Sequence, residues 1–297
     1  LANITIYADD GTVHISHSGA EIGQGIDTKV AQCVAYALGV DMDKIEMAES
    51  TSFHTPNTGS TGGSATSEVV SQAALNACKN VLKVLTGYRR GDGWEAWLAA
   101  VQKVDGDGET PLTFKGWHNP TCDKAFQYYV WCASMVVAEL DLLTGEVIVR
   151  SADISYDCGK QLNADVDVGQ IEGAFIMGLG YFLTEKVQYG TNGELLTNGT
   201  WEYKPPMALD IPVDFNVRLL GDEDPSWGGN KAEGNVLRSK ATGEPPMISS
   251  AACWFAVRDA IKRGGAKRAV QLSCPATIDA RLEAIDENLG ASNKYQL

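Results

Sequence analysis

The cysteines and histidines of this chain lack the spacing that metal centres use. Seven cysteines are scattered over 297 residues, no two of them are spaced C-x-x-C, and their number is odd. This pattern argues against a zinc site or an iron–sulfur cluster built by the chain itself. His14 and His17 would face opposite sides of a strand, which argues against a metal pair. Scattered thiols are typical of a reducing compartment, and we therefore predict a cytoplasmic location.

The sequence also lacks the signals of several other protein classes. No apolar run approaches the roughly 20 residues that a membrane span requires, and no signal peptide is visible. A net charge of −14 without a basic stripe argues against nucleic acid as a partner. No serine lies in a G-x-S-x-G sequence, which weakens a hydrolase interpretation. Because the chain begins at Leu1 inside a strand-like pattern, we expect a segment of a longer polypeptide.

Hydrophobic periodicity predicts an α+β fold with mixed strands and long helices. The predicted helices cover residues 25–38, 66–85, 94–104 and 165–180, with two more inside 246–262 and 275–285. The predicted strands cover residues 4–7, 13–16, 45–47, 128–141, 146–155, 184–189, 195–197 and 215–220. Gly, Asp and Pro gather near residues 105–125 and indicate a boundary. We therefore predict two lobes, residues 1–120 and residues 121–297.

Two glycine-rich stretches each precede a predicted helix. Residues 19–25 read GAEIGQG, and glycine on both sides of Gln24 lets the backbone approach a ligand. By themselves these residues favour a tight strand-to-helix turn with a capping polar residue. Residues 58–67 read TGSTGGSATS, and hydroxyls beside a helix N-terminus indicate an anion or phosphate site. The alternative for this second stretch is a flexible loop that caps the helix.

Two further stretches place single polar residues in apolar or rigid surroundings. Residues 167–175 read DVGQIEGAF, where Gln170 and Glu172 need partners if they are buried. The alternative is the wet face of a surface helix. Residues 239–246 read SKATGEPP, and the two prolines after Glu244 restrict the backbone that carries its carboxylate. Such a carboxylate suits a general base, although a solvated Glu in a proline-rich loop is the commoner case.

Together these four stretches resemble, in order and over nearly the whole chain, the molybdenum hydroxylase family of xanthine dehydrogenases and aldehyde oxidases. EIGQG at 21–25 resembles the family's E-M-G-Q-G turn, and residues 57–64 resemble its pterin-binding loop. Residues 167–180 resemble its D-[VIL]-G-Q-[VI]-E-G-[AS]-F helix, and residues 240–246 its K-A-x-G-E-P-P motif. Ile22 stands where the family usually has Met, which affects only a van der Waals contact.

The resemblance implies a C-terminal molybdopterin-binding segment with the fold of that family's molybdenum-cofactor domain. It assigns Glu244 as the catalytic base. It implies a molybdenum ion that is held by the pterin rather than by a side chain, with Gly63 nearby. The residues it assigns to cofactor binding are Gln24, Thr61, Gly62, Gly63, Ser64, Ala65, Thr66 and Gln170.

The resemblance further implies hydroxylation of a small aldehyde or N-heterocycle with oxygen derived from water. Electrons would pass to [2Fe-2S] and FAD domains outside this chain, in a homodimer, and the segment alone would be inactive. Residues 201–206 and 237–243 are most similar to aldehyde oxidases. A xanthine or hypoxanthine dehydrogenase remains an alternative. A non-catalytic anion-binding subunit is a second possibility, and a hydrolase or transferase that uses Glu244 without metal is a third.

Overall fold

The structure is a computed structural model that describes residues 1–119, 128–221, 236–266 and 269–289. The expected lobe boundary between residues 120 and 121 lies outside these ranges. The chain forms two compact units. The first unit comprises Leu1–Tyr129, Gly159–Val166 and Gly228–Ala241, and the second comprises Val130–Cys158, Asp167–Trp227 and Thr242–Leu297.

Within the described ranges, the first unit contains a four-stranded sheet and three α-helices. The strands are β1 (Ala2–Ile6), β2 (Val13–His17), β3 (Ile45–Met47) and β4 (Thr113–Gly116), in the spatial order β3-β2-β1-β4. Strand β1 pairs antiparallel with β2 and β4, and β2 pairs parallel with β3. The helices are α1 (Ile26–Leu38), α2 (Thr66–Leu85) and α3 (Trp94–Asp107).

Helix α2 packs its apolar stripe into the core of the first unit. Val70, Ala74, Ala77, Val81 and Leu85 recur with helical spacing and are almost completely buried. The small residues of this stripe allow a close approach to β4. A Cβ on Gly116 would lie only 1.9 Å from the Ala73 carbonyl oxygen, so only glycine fits there. The stripe thus fixes α2, and with it the loop that leads into the helix.

The described part of the second unit contains a three-stranded sheet and three α-helices. Strands β5 (Cys132–Leu140), β6 (Val147–Tyr156) and β7 (Asp214–Leu219) lie in the order β5-β6-β7. Strands β5 and β6 form the expected antiparallel hairpin, and β6 pairs parallel with β7. The helices are α4 (Ala164–Leu183), which belongs to this unit from Asp167 onward, α5 (Ala251–Arg263) and α6 (Ile278–Leu289).

The core of the second unit is built from α4, α5 and the sheet. Ile171, Phe175 and Leu179 share one face of α4 and are buried. The Phe175 ring packs on the ring of Phe215 from β7, with 5.2 Å between the centroids. The predicted mixture of strands and long helices is confirmed.

Two local predictions differ from the structure. The strands expected at 184–189 and 195–197 are reduced to one bridge between Tyr189 and Leu195. A turn interrupts them, because Gly190 donates its N–H back to the Glu194 carbonyl at 2.8 Å. The last helix begins at Ile278, inside the predicted stretch 275–285, but it continues beyond that stretch to Leu289. The Thr277 carbonyl accepts its first backbone hydrogen bond, which Arg281 donates.

Six cysteines within the described ranges are free thiols, and Cys122 lies outside these ranges. No helix within them has the length and apolar character to cross a membrane.

Candidate functional site

The turn before α1 is held by the carboxylate of Glu21. Its two oxygens accept the backbone N–H groups of Gly23 at 2.9 Å, Gly25 at 3.1 Å and Asp27 at 3.3 Å. Partial burial by itself would raise the pKa of Glu21, but these backbone donors together lower it below its usual range. Glu21 therefore caps α1 from within the chain, as the tight-turn interpretation expected of a polar residue in this stretch.

The Gln24 amide lies in the same turn. It donates to the Ala20 carbonyl at 2.8 Å and accepts the Ile22 N–H at 2.7 Å. A side-chain amide has two N–H donors and an oxygen with two lone pairs, so these two bonds orient the group without saturating it. A Cβ on the neighbouring Gly23 would meet nothing within 4 Å, which leaves open space beside the turn. The role of Gln24 towards a cofactor stays a prediction.

The buried His17 joins β2 to this turn. Its Nδ1 accepts the Gly19 N–H at 3.2 Å, so the proton lies on Nε2, which donates to Asp27 at 2.8 Å. Burial lowers the pKa of His17, and the nearby Asp27 carboxylate only partly opposes this effect. His17 is thus a neutral structural side chain that fixes the start of the turn. It lies in no metal cluster, and no cluster of three or more potential ligands occurs within the described ranges.

The loop that enters α2 has an unusual backbone. Gly63 and Ser64 adopt consecutive left-handed conformations, with φ of 67° and 54°, and a serine with positive φ is uncommon. Ala65 occupies the N-cap of α2 and has no side chain that could accept an N–H of the first turn. Cβ atoms on Gly62 and Gly63 would meet nothing within 4 Å. The loop therefore presents backbone and small side chains to open space at a helix N-terminus.

Hydrogen bonds connect this loop to the Gln24 turn. The Thr61 hydroxyl accepts the Ala20 N–H at 3.0 Å, and the Thr66 hydroxyl accepts the Gly62 N–H at 3.3 Å. The first bond spans 41 residues and brings together two of the stretches that the sequence singled out. The turn that carries Gln24 and the loop at residues 61–66 are therefore neighbours within the first unit.

The other two stretches meet within the second unit. The Thr242 hydroxyl, which is buried, donates to the buried Asp167 carboxylate at 3.3 Å. Asp167 lies on the first turns of α4, one turn before Gln170, and Thr242 lies two residues before Glu244. Gln170 and Glu172 are both partly exposed, which matches the expectation of a wet helix face. The structure thus brings together the segments that carry Gln170 and Glu244.

Glu244 occupies the N-cap of a short 3-10 helix, Pro245–Ser250, and its side chain is exposed. Its carbonyl accepts the Met247 N–H at 3.0 Å. The Ser250 hydroxyl donates to the Met247 carbonyl at 2.6 Å, and Ser134 of β5 donates to the Ser249 carbonyl at 2.8 Å. These hydrogen bonds therefore hold the backbone immediately C-terminal to Glu244.

The segment before the Glu244 motif also has an unusual backbone. Leu237 and Arg238 have φ of 50° and 71°, which costs about 1–3 kcal/mol for each such residue. The Arg238 carbonyl accepts the Lys160 N–H at 2.9 Å, and Gly159 bridges to Ser239. A Cβ on Gly159 would lie 2.3 Å from the Arg238 carbonyl oxygen. The first unit thus holds this strained segment by close backbone contacts.

The sequence interpretation missed several polar residues of these sites. Glu21, Asp167 and Thr242 fix the local backbone. Glu68, in the first turn of α2, accepts a hydrogen bond from the Tyr128 hydroxyl. An acidic residue just before a predicted helix was a signal for Glu21. The others make contacts between residues that are 60 to 75 positions apart, for which a single sequence carries no signal.

Comparison with known proteins assigns the chain to a family. Residues 1–212 match the family model of the molybdopterin cofactor-binding domain. The chain is 37% identical over 270 residues to the xanthine dehydrogenase of Drosophila pseudoobscura pseudoobscura, which covers 88% of this chain and 19% of the relative. It is 36% identical over 290 residues to the indole-3-acetaldehyde oxidase of Arabidopsis thaliana, which covers 91% and 21%. The chain thus spans about one fifth of these relatives.

A solved structure shows the same fold. The quinoline 2-oxidoreductase of Pseudomonas putida 86 superimposes with a TM-score of 0.76 over 97% of this chain and 38% of that protein. The sequence identity is 22%, so this likeness concerns the fold alone.

Proposed function

We propose, from the premise that the chain belongs to the molybdopterin cofactor-binding domain family, that it forms the cofactor-binding and proton-accepting part of a molybdenum hydroxylase. The observation that carries the proposal is the loop at residues 61–66. It combines two left-handed residues, glycines that open onto free space and the N-terminus of α2. Such a loop suits a phosphate-bearing ligand that must approach the backbone closely.

The residues present fit the cofactor. Thr61, Gly62, Gly63, Ser64, Ala65 and Thr66 would hold the pterin and its phosphate. Gln24, oriented by its two hydrogen bonds, would meet the edge of the pterin with the remaining capacity of its amide. Gln170 would supply a second amide from the partly exposed face of α4.

Glu244 would act as the general base. The bound cofactor supplies the redox centre and the transfer of a water-derived oxygen to the substrate. A carboxylate oxygen of Glu244 would accept the proton that the water-derived oxygen must lose when it attacks the substrate. The exposed side chain on a fixed backbone supports this role, because a base must reach its partner from a defined position. FAD and [2Fe-2S] centres in the rest of a homodimeric protein would then receive the electrons.

A metal and pterin analysis of the full-length protein tests the proposal. We expect about one molybdenum and one pterin per chain. A folded protein without either would support the non-catalytic anion-binding subunit instead. Cyanide inactivates sulfurated molybdenum centres, so turnover that survives cyanide would support a metal-free hydrolase or transferase.

A charge change in the loop provides a sharper test of cofactor binding. We expect Ser64→Asp to weaken cofactor retention about tenfold or more, because its carboxylate would repel the phosphate. Asp and Asn both tolerate the left-handed conformation that Ser64 adopts. Ser64→Asn is therefore the matched control and should retain cofactor within about twofold of wild type. Equal molybdenum and pterin contents in the two purified variants would show that the loop only caps α2.

The substrate class is the finer part of the proposal. Identity to the two curated relatives is nearly equal, 37% and 36%, so it does not separate their substrates. The similarity of residues 201–206 and 237–246 to aldehyde oxidases favours aldehydes or aromatic N-heterocycles. We expect kcat/KM for benzaldehyde to exceed that for xanthine in the full-length enzyme. The reverse order in steady-state assays would support a xanthine or hypoxanthine dehydrogenase.

A further inference from the structure

The hydroxyl of Tyr128 has two partners in the first unit. It donates to a carboxylate oxygen of Glu68 in the first turn of α2, in a short hydrogen bond. It also accepts the backbone N–H of Ala241 at 3.1 Å. A phenol can donate one hydrogen bond and accept another, so a single oxygen satisfies both contacts. The three groups are distant in sequence, since Tyr128 is 60 residues from Glu68 and 113 residues from Ala241.

The surroundings of Tyr128 keep its hydroxyl protonated. Partial burial raises the pKa of Tyr128 first, and the adjacent Glu68 carboxylate raises it further. An ordinary tyrosine ionises near pH 10, so this phenol remains a donor to Glu68 throughout the range in which enzymes work. The contact with Ala241 is therefore constant rather than a switch.

Neighbouring contacts hold the same segment. The Lys240 ammonium donates to the Tyr129 carbonyl at 2.9 Å, and Gly159 bridges to Ser239. These contacts follow directly after the left-handed pair Leu237 and Arg238. Such strain persists only where surrounding contacts over-determine the backbone. Ala241 is the last of the residues 239–241 that these contacts hold, and Glu244 follows three residues later along the chain.

We propose that Tyr128 is a positioning residue for the catalytic base: its hydroxyl, itself held by Glu68, fixes the backbone at Ala241. The inference rests on the proposed role of Glu244. Its structural part, the fixation of residues 239–241, does not depend on that role. Small displacements of a reacting group can reduce a rate by about two orders of magnitude, so the backbone that leads to the base requires such fixation.

The test is Tyr128→Phe in the full-length, cofactor-loaded enzyme. Phe keeps the ring but leaves the Ala241 N–H without this acceptor. We expect amide exchange in a peptide covering residues 239–241 to accelerate about three- to tenfold. We expect kcat per molybdenum to fall about ten- to a hundredfold, with KM within about twofold and cofactor content unchanged. This split separates positioning from a general structural role, which would lower cofactor content instead.

Two further variants complete the experiment. Tyr88→Phe removes a partly buried phenol elsewhere in the same unit, whose pKa is raised by the nearby Asp107 carboxylate, and we expect exchange at 239–241 and turnover to stay at wild-type values. Glu68→Gln keeps an oxygen acceptor for Tyr128, so its effects should be in the same direction but smaller. It also replaces Tyr128→Phe as the test if that variant does not fold.

The outcomes distinguish this inference from the proposed function. Unchanged exchange at residues 239–241 in Tyr128→Phe, or accelerated exchange with kcat per molybdenum within threefold of wild type, overturns the positioning role. Glu244→Gln assayed in parallel reports on the base itself. Full turnover in that variant would remove the proposed base, whereas accelerated exchange in Tyr128→Phe would still establish the contact.

Discussion

Replacement of Glu244 by glutamine should nearly abolish turnover and leave cofactor content close to that of wild type. Gln has the size and reach of Glu but accepts no proton, so the loss should appear in the chemical step. Loss of a general base typically lowers the rate by about 10²–10⁴-fold. Because Glu244 is exposed and its backbone is held by bonds within residues 244–250, folding should hardly change.

The measurement is the rate of enzyme reduction by substrate in a stopped-flow experiment, normalised to active molybdenum. Glu283→Gln makes the same chemical change at an exposed position of α6 and serves as the control. It should react at the wild-type rate. A Glu244→Gln enzyme within threefold of wild type would remove Glu244 from the mechanism. Low yield or lost cofactor with normal activity per molybdenum would assign Glu244 a structural role.

The sequence predicted helices more accurately than the short strands of the second unit. Helix α2 has the predicted bounds, Thr66–Leu85, because a 20-residue apolar periodicity follows directly on a hydroxyl-rich loop. The expected strands at 184–189 and 195–197 did not form, although residues 215–220, an equally short stretch, coincide with β7 (Asp214–Leu219). A turn at Gly190 and its neighbours leaves them a single bridge. The turn, rather than the length of the pattern, therefore decided the outcome at these two stretches.

The candidate site was only partly accessible to physical reasoning from the sequence. The loop at residues 61–66 carries its own signal, because Gly, Ser and Thr before a helix favour anion binding. Glu244 carries no such signal, since an exposed Glu before prolines is usually only solvated, and its assignment came from resemblance. Contacts such as those of Tyr128 with Glu68 and Ala241 depend on how distant segments fold together. No local pattern encodes them.

The packing of α2 against β4 leads to the largest expected effect on stability. A methyl group at Gly116 would lie 1.9 Å from the Ala73 carbonyl oxygen and 2.4 Å from the Ala77 nitrogen. Both atoms belong to the helix backbone, so no rotamer change relieves the contact. Gly116→Ala should therefore move α2 away from β4 and destabilise the first unit by about 3 kcal/mol, at the upper end of overpacking costs.

The same substitution at Gly106 provides a control with the opposite sign. Gly106 lies within α3, and a methyl group there would meet nothing within 4 Å. Gly106→Ala should leave stability unchanged or raise it by up to about 1 kcal/mol, because Ala favours the helix. Hydrogen exchange of α2 peptides in the full-length protein measures both effects. Gly116→Ala should accelerate this exchange by roughly two orders of magnitude. Because α2 carries the loop at residues 61–66, Gly116→Ala should also lose cofactor. Wild-type protection of α2 in Gly116→Ala would contradict the close approach of these two elements.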